Sequence, residues 1–453
     1  MTVIEHAASV ANVAMLRAND LPNDLKIQAI NEQISLLESG FGSIPLCDTP
    51  TREKILAQLN IQWAILAPIR RLPVEILSDV FSRVVKAFPL RTLQVSSTLA
   101  SVCVTWRKVT RGHAALWTRL IVKTLRDFDR YEQYFLPLTK HLPLDLRCEE
   151  RKILSDLWER IVPYASRWRS VILEGRLSML PDLKVLCMER LERLVVDAYD
   201  APTSAELSAL DFVVAPDLRH LKFTIDVLQS ERQLHIPVTR TLTSLEITAE
   251  SPFLVALTLP LLTACANTLQ SLILKIRQTS DGADGSYPAS AASTFEMQAL
   301  IYLSLVDSTC ALLDHITTPV IHELVLGNVP AYGSRLLLNF LKRSPSSLPL
   351  EVLRVYDVEE RDPSAWIPCL EVMNNVRALH FDDLLSNKEF LEKMISHEGK
   401  PLLLPALEGI AIWRVFWSHL ELHDIITEMC CSREKETVKD EEWLLLGWLD
   451  EHQ

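Results

Sequence analysis

Histidine and cysteine are the residues in this chain best suited to chemistry: 12 of the first and 9 of the second among 453 residues. Their spacing argues against catalysis. Cys47, Cys103, Cys148, Cys187, Cys265, Cys310, Cys369, Cys430 and Cys431 form no Cys-x-x-Cys pair, so neither a zinc knuckle nor a redox dithiol is encoded. His322 and Glu323 open the string HELVL, which lacks the second histidine that would place two metal ligands on one helical face. Phosphate cradles and nucleophile elbows are missing too: there is no Gly-x-x-x-x-Gly-Lys-Ser/Thr, no Gly-x-Gly-x-x-Gly and no Gly-x-Ser-x-Gly. With 11 glycines in the whole chain, few positions remain for backbone that must approach a phosphate. The expectation is a protein that is not an enzyme and needs no metal or other cofactor.

What remains is binding, and composition limits the partners. The formal charge of −12 and a sequence pI near 5.5 repel a phosphate backbone, and no run of Lys and Arg offers a local exception. Nucleic acid is therefore excluded as an expected partner. The most apolar stretch, FLVALTLPLLTACANTL at 253 to 269, is interrupted by Pro260 and Asn267 and falls short of the roughly 20 apolar residues of a membrane helix. It reads as a core helix, and no membrane is expected. The first residues, MTVIEHAASVANVAMLRAND, have Glu5, no basic leader and no sustained apolar core, so no signal peptide is expected. An odd, unpatterned set of cysteines with no Asn-x-Ser/Thr acceptor points to buried thiols in a reducing compartment, cytoplasmic and/or nuclear.

The elements that must position any binding residue fall into regions. Residues 1–20 are expected to be disordered or frayed. Residues 21–68 carry two helical patterns around the turn FGSIPLCDTP. Ile27, Ile30, Ile34 and Leu37 form one stripe and Leu56, Leu59, Trp63 and Leu66 the other, with Thr51 a candidate N-cap. They predict an antiparallel, coiled-coil-like hairpin, with pairing to a second chain as an open alternative. In IRRLPVEILSDVFSRVVK, a helix is expected to start at Leu72 or Pro73, where a missing N–H is tolerated. Ile76, Leu77, Val80, Phe81 and Val84 line one face of it. In SSTLASVCVTWRKV, Ser97 can cap a second helix bearing Leu99, Val102, Cys103 and Trp106. HAALW then brings back Leu116 and Trp117, and TRLIV begins an extended segment.

Two amphipathic helices alone would be ordinary packing. The order Leu-Pro-x-Glu-Ile-Leu-x-x-Val-Phe, then Val-Cys-x-x-Trp, then Leu-Trp resembles the F-box, with a spacing similar to the large F-box families of mushroom-forming fungi. The resemblance covers residues 69–120. It implies a three-helix module that docks to the Skp-type adaptor of an SCF (Skp, cullin, F-box) ubiquitin ligase, and through it to a cullin. Carried over by position, Leu72 and Pro73 would enter the adaptor groove, and Ile76, Leu77, Val80 and Phe81 would form the buried seam. Val102, Cys103, Trp106 and Trp117 would close the module and its contact face. The connection KAFPLRTLQVSST is longer than in compact F-boxes and leaves room for an added turn.

Beyond residue 165 an apolar-x-x-apolar-x-apolar string recurs. Its central residues are Val171, Leu194, Leu221, Leu245, Leu272, Leu303, Leu324, Leu353, Leu379 and Ile410. They are spaced 21 to 31 residues apart, about 27 on average, close to the leucine-rich-repeat period. One such repeat cannot offset its ordering entropy, so the copies must stack. The predicted fold class is therefore α/β: helical hairpin and three-helix F-box, then an irregular leucine-rich-repeat solenoid over 121–430. An insertion is expected at 278–294, and 431–453 reads as a charged cap or tail. Residues alternating with the inward leucines, His220, Lys222, Lys275, Tyr302, Arg354, Tyr356, His380 and Trp413, would line the concave, target-binding face. Their mix of aromatics and cations suits an acidic or phosphorylated segment of a protein target. The function expected is substrate recruitment for ubiquitin transfer. The alternative is a repeat scaffold or signalling protein without ligase engagement.

Overall fold

The computed structural model describes residues 3–18, 21–45, 47–150, 154–175, 186–198, 213–225, 241–250, 255–277, 294–345, 348–360, 362–381, 391–395, 403–412 and 428. The chain is mixed α/β and divides into two compact units, 1–147 and 148–453.

The first unit opens with α1 (Val3–Val10), α2 (Val13–Ala18), α3 (Asp24–Ser43) and α4 (Thr49–Leu66). Asn23 caps α3 by accepting from the Lys26 amide, and Asp48 caps α4 by accepting from that of Thr51, which relieves donors a helix start cannot bond internally. Ala7 and Ala11 are fully buried against Ile30, Leu37, Ile55, Leu59 and Ile65. The expectation of a frayed 1–20 is thus corrected for 3–18: they form α1 and α2, and the small side chains of Ala7 and Ala11 let this segment pack closely on the hairpin. The α4 stripe is also turned by one position. Ile55, Gln58, Leu59, Gln62 and Ile65 are buried, whereas Leu56 and Trp63 are exposed. The buried amide of Gln58, bonded from Nε2 to the Ala11 carbonyl at 2.7 Å, sits where an apolar count expects none.

After a 3-10 turn over Pro68–Arg71 come α5 (Val74–Ala87), a second 3-10 turn over Pro89–Arg91, α6 (Thr92–Val102) and α7 (Val104–Gly112), then a third 3-10 turn over Ala114–Trp117. Ser97 caps nothing; it lies inside α6, which begins five residues earlier at Thr92. The chain breaks instead at Cys103, extended at φ −155°, whose Sγ accepts from the Trp106 amide to start α7. Leu99 and Trp106 therefore belong to different helices. The unit continues through β1 (Arg119–Val122), α8 (Leu125–Arg130) and β2 (Leu144–Cys148). Residues 121–147 belong to the first compact unit.

The second unit begins with α9 (Leu154–Ile161), followed by β3 (Trp168–Gly175), β4 (Leu186–Cys187), β5 (Arg193–Ala198), β6 (Val213–Val214), β7 (His220–Ile225) and β8 (Ser244–Glu250). Next come α10 (Val255–Cys265), β9 (Ser271–Arg277), β10 (Phe295–Glu296), β11 (Tyr302–Asp307), β12 (Ile316–Thr317) and β13 (Glu323–Val329). The last elements are α11 (Gly333–Arg343), β14 (Val352–Val358), α12 (Ile367–Val372), β15 (Ala378–Phe381) and β16 (Gly409–Ile412). The two-residue strands pair parallel as β4 with β6 and β10 with β12. The others lie side by side in the order β3-β5-β7-β8-β9-β11-β13-β14-β15-β16.

Neighbours in that sheet are parallel, and the recurring central residues meet one another across it. Val171 pairs with Leu194, Leu194 with Leu221, and so on through Leu245, Leu272, Leu303, Leu324, Leu353 and Leu379 to Ile410. Each strand is entered in the same way: the amide two residues before the central position donates to the carbonyl at that place in the preceding strand. Arg219 donates to Glu192 (2.9 Å), Gln270 to Thr243 (2.8 Å) and Glu408 to Arg377 (2.7 Å). Leu221, Leu245, Leu272, Leu303, Leu324, Leu353 and Leu379 are buried with the residue two further on. Of the insertion expected at 278–294, residues 278–293 lie outside the described residues, as does the segment 431–453.

Candidate binding surfaces

The first surface belongs to α5 to α7. α5 starts at Val74, one residue past the expected start, with Pro73 as its N-cap residue; Glu75 in the first turn suits the positive end of the helix dipole. Burial divides the ten residues assigned to adaptor contact. Leu77, Phe81, Cys103 and Trp117 are interior, with no more than 7% of their surface exposed. Phe81 meets Trp106 with ring centroids 4.7 Å apart, and Trp117 stacks on Phe135 at 5.2 Å. Trp117 is further held by its Nε1–H donating to the Thr110 carbonyl at 2.7 Å, while Tyr131 Oη donates to its carbonyl at 3.0 Å. These four residues shape the module and cannot themselves be a contact face. Val80 and Trp106 are half-buried, whereas Leu72, Pro73, Ile76 and Val102 are exposed. Val74 at 53% and Val104 at 37% join them.

Position in the sequence explains both omissions. Val74 stands in the first turn just after the proline, and Val104 was obscured by reading one continuous helix through Cys103. His113 fixes the other side of α5: Nδ1 lies 2.6 Å from Ser78 Oγ and Nε2 3.2 Å from Ser82 Oγ.

The second surface is the outward side of the sheet in the second unit. His220, Lys222, Lys275, Tyr302, Arg354, Tyr356 and His380 do alternate with buried neighbours, and the sheet brings several of them together. Trp413 lies outside the described residues. Arg354 Nη2 is 3.1 Å from Glu323 Oε1, and Lys222 Nζ is 2.8 Å from Glu246 Oε1. Two of the cations expected to attract an acidic target are thus already matched by carboxylates. Such part-exposed pairs contribute roughly 0 to 1 kcal/mol each, but they fix the side chains and cancel charge. Burial, then Glu323, pushes the Tyr302 hydroxyl above its ordinary range. Burial, then Arg354, holds His380 below the ordinary histidine value. The Tyr356 ring covers Gly327, where a Cβ would collide with it.

Glu246, Glu323 and Arg193 were not singled out from sequence. The signal was available: Arg193 stands one residue before its central leucine, as His220 does.

Burial raises the thiols of Cys310 and Cys369 to about 12, which removes them as nucleophiles at neutral pH. Among the described residues no group of three His, Cys, Asp or Glu side chains is placed to hold a metal, and no helix is long and apolar enough to cross a membrane. No protein-family model matches the chain, and no similar protein was found among curated ones.

Proposed function

We propose that this chain is a substrate-recruiting adaptor: an F-box in the first unit docks to a Skp-type protein and through it to a cullin, and a leucine-rich-repeat solenoid in the second unit binds a protein target. The observation that carries the docking reading is the exposed set Leu72, Val74, Ile76, Val102 and Val104 on a module whose interior is already filled by Leu77, Phe81, Leu116 and Trp117. Apolar surface left over after a core is complete favours a partner. Burying each such side chain gains roughly 1.5 to 3 kcal/mol, so a handful can offset the cost of association. The solenoid reading is supported by the shared register of the central residues and by the repeated backbone bond that starts each strand.

In this mechanism no residue of the chain performs chemistry. The two surfaces raise the local concentration of a target lysine near a ubiquitin-charged enzyme held elsewhere in the assembly.

Co-purification with a Skp-type adaptor tests the proposal. Ile76→Asp with Val102→Asp should abolish capture and leave stability within about 0.5 kcal/mol, because both sites are solvent-facing. Phe81→Ala should instead cost about 3 to 5 kcal/mol of stability by opening a cavity. If the wild-type chain fails to capture the adaptor, the scaffold alternative replaces this one.

A further inference from the structure

On the outward side of the sheet, Arg193, His220 and Ser244 stand side by side on β5, β7 and β8, paired as Arg193 with His220 and His220 with Ser244. Two residues along the same strands, Val195, Lys222 and Glu246 are likewise neighbours. With Leu221 these residues line a depression of about 170 Å³. Its polar groups are unequally committed. Lys222 is held by Glu246 at 2.8 Å, whereas the side chains of Arg193, His220 and Ser244 make no hydrogen bond or ion pair with the described residues. Arg193 and His220 are exposed, and Val195 forms an apolar floor.

We propose that this depression is a carboxylate-binding subsite that seats one aspartate or glutamate side chain of an extended target segment. Charge selects the ligand. Beside His220 and Ser244, the lining holds two cations, Arg193 and Lys222, against one carboxylate, Glu246, so a single negative charge completes the balance. A phosphoryl dianion would leave an excess negative charge beside Glu246, a few ångströms away in a partly desolvated site.

Geometry agrees. The planar guanidinium of Arg193 offers paired donors that match a carboxylate. His220 and Ser244 add donors at the inter-strand spacing of about 4.8 Å. The surface continues on both sides, through Ser170 and Ile172 of β3 and through Ser271 and Ile273 of β9. A chain crossing it has no cause to end there, which favours a side-chain carboxylate over a chain terminus. The inference rests on the outward face being the target-binding side; it does not depend on adaptor docking.

The test is a display selection of a randomised linear peptide library on the full-length protein, with binding of the enriched peptides measured by fluorescence anisotropy. Enriched peptides should carry an internal Asp or Glu. Their binding should weaken at least about tenfold in Arg193→Gln and equally when the acidic residue becomes its amide, the size of a charge-assisted hydrogen bond. Lys342→Gln, an exposed cation on α11 rather than on the sheet, should bind as wild type. The proposal is overturned if no acidic peptide is enriched, if Arg193→Gln binds unchanged, or if phosphoserine in place of the acid binds more tightly. It is also overturned if a free C-terminus is required. Adaptor capture by Arg193→Gln should equal wild type, so failure of the docking proposal and failure of this one give different results.

Discussion

Arg354 and His380 face each other on adjoining strands, and the pair shows how a side chain's neighbours set its use. From sequence, both were cations or near-cations awaiting an acidic partner. In the sheet, Arg354 is held by Glu323, and His380 is pushed toward its neutral form by burial first and by Arg354 second. The sign of the consequence follows from proton binding. The unfolded chain takes up the His380 proton more readily than the folded one. Stability is therefore full above the ordinary histidine value of about 6.5, falls as pH drops below it, and levels off under the depressed folded value. His380→Asn should flatten that acidic limb, and Arg354→Gln should flatten part of it. Urea titrations of the three proteins between pH 7.5 and 5 would read this directly; parallel limbs for His380→Asn and wild type would remove the assignment.

Elements differ in how openly the sequence announces them. The strands of the large sheet were legible because those inside it carry a central residue buried between two like neighbours, so the apolar spacing survives the irregular lengths of the connections. Leu303, fully buried between Leu272 and Leu324, is one such residue. Less was legible in the helices. Buried amides at Gln58 and Gln62 turned the apparent face of α4, and Cys103 broke a seemingly continuous stripe because a thiol can cap as well as pack. Burial alone separated Phe81 from Ile76 on one helix, since both belong to the same apolar pattern. The cross-strand partners Glu246 and Glu323 were hidden because a single chain reading does not pair positions between repeats.

The sheet also predicts a gradient. Leu303→Ala, with a strand on either side, should cost about 2 to 5 kcal/mol, and Ile410→Ala, half-buried on the last described strand, about 1 kcal/mol. Denaturant midpoints of the two variants should fall in that order, and equal losses would contradict a stack stabilised by nearest neighbours.

At the scale of the whole molecule, the proposed docking edge and the proposed carboxylate subsite belong to different compact units, and the proposed activity needs both in one chain. Tethering converts target encounter into a local event only while both sites are occupied. Yet neither site borrows residues from the other: Ile76 and Val102 lie in α5 and α6, Arg193 and His220 in β5 and β7. Substitutions at sites that share no partners combine additively. Ile76→Asp with Val102→Asp should therefore leave acidic-peptide affinity at its wild-type value, and Arg193→Gln should leave adaptor capture unchanged. The combined variant should show both losses with no extra one. Ubiquitin transfer to a tethered acidic-peptide substrate, reconstituted with the adaptor and cullin, should fail in each variant alone, because proximity requires both contacts at once. A variant defective in one contact that still supported full transfer would show that recruitment is not what links the two surfaces.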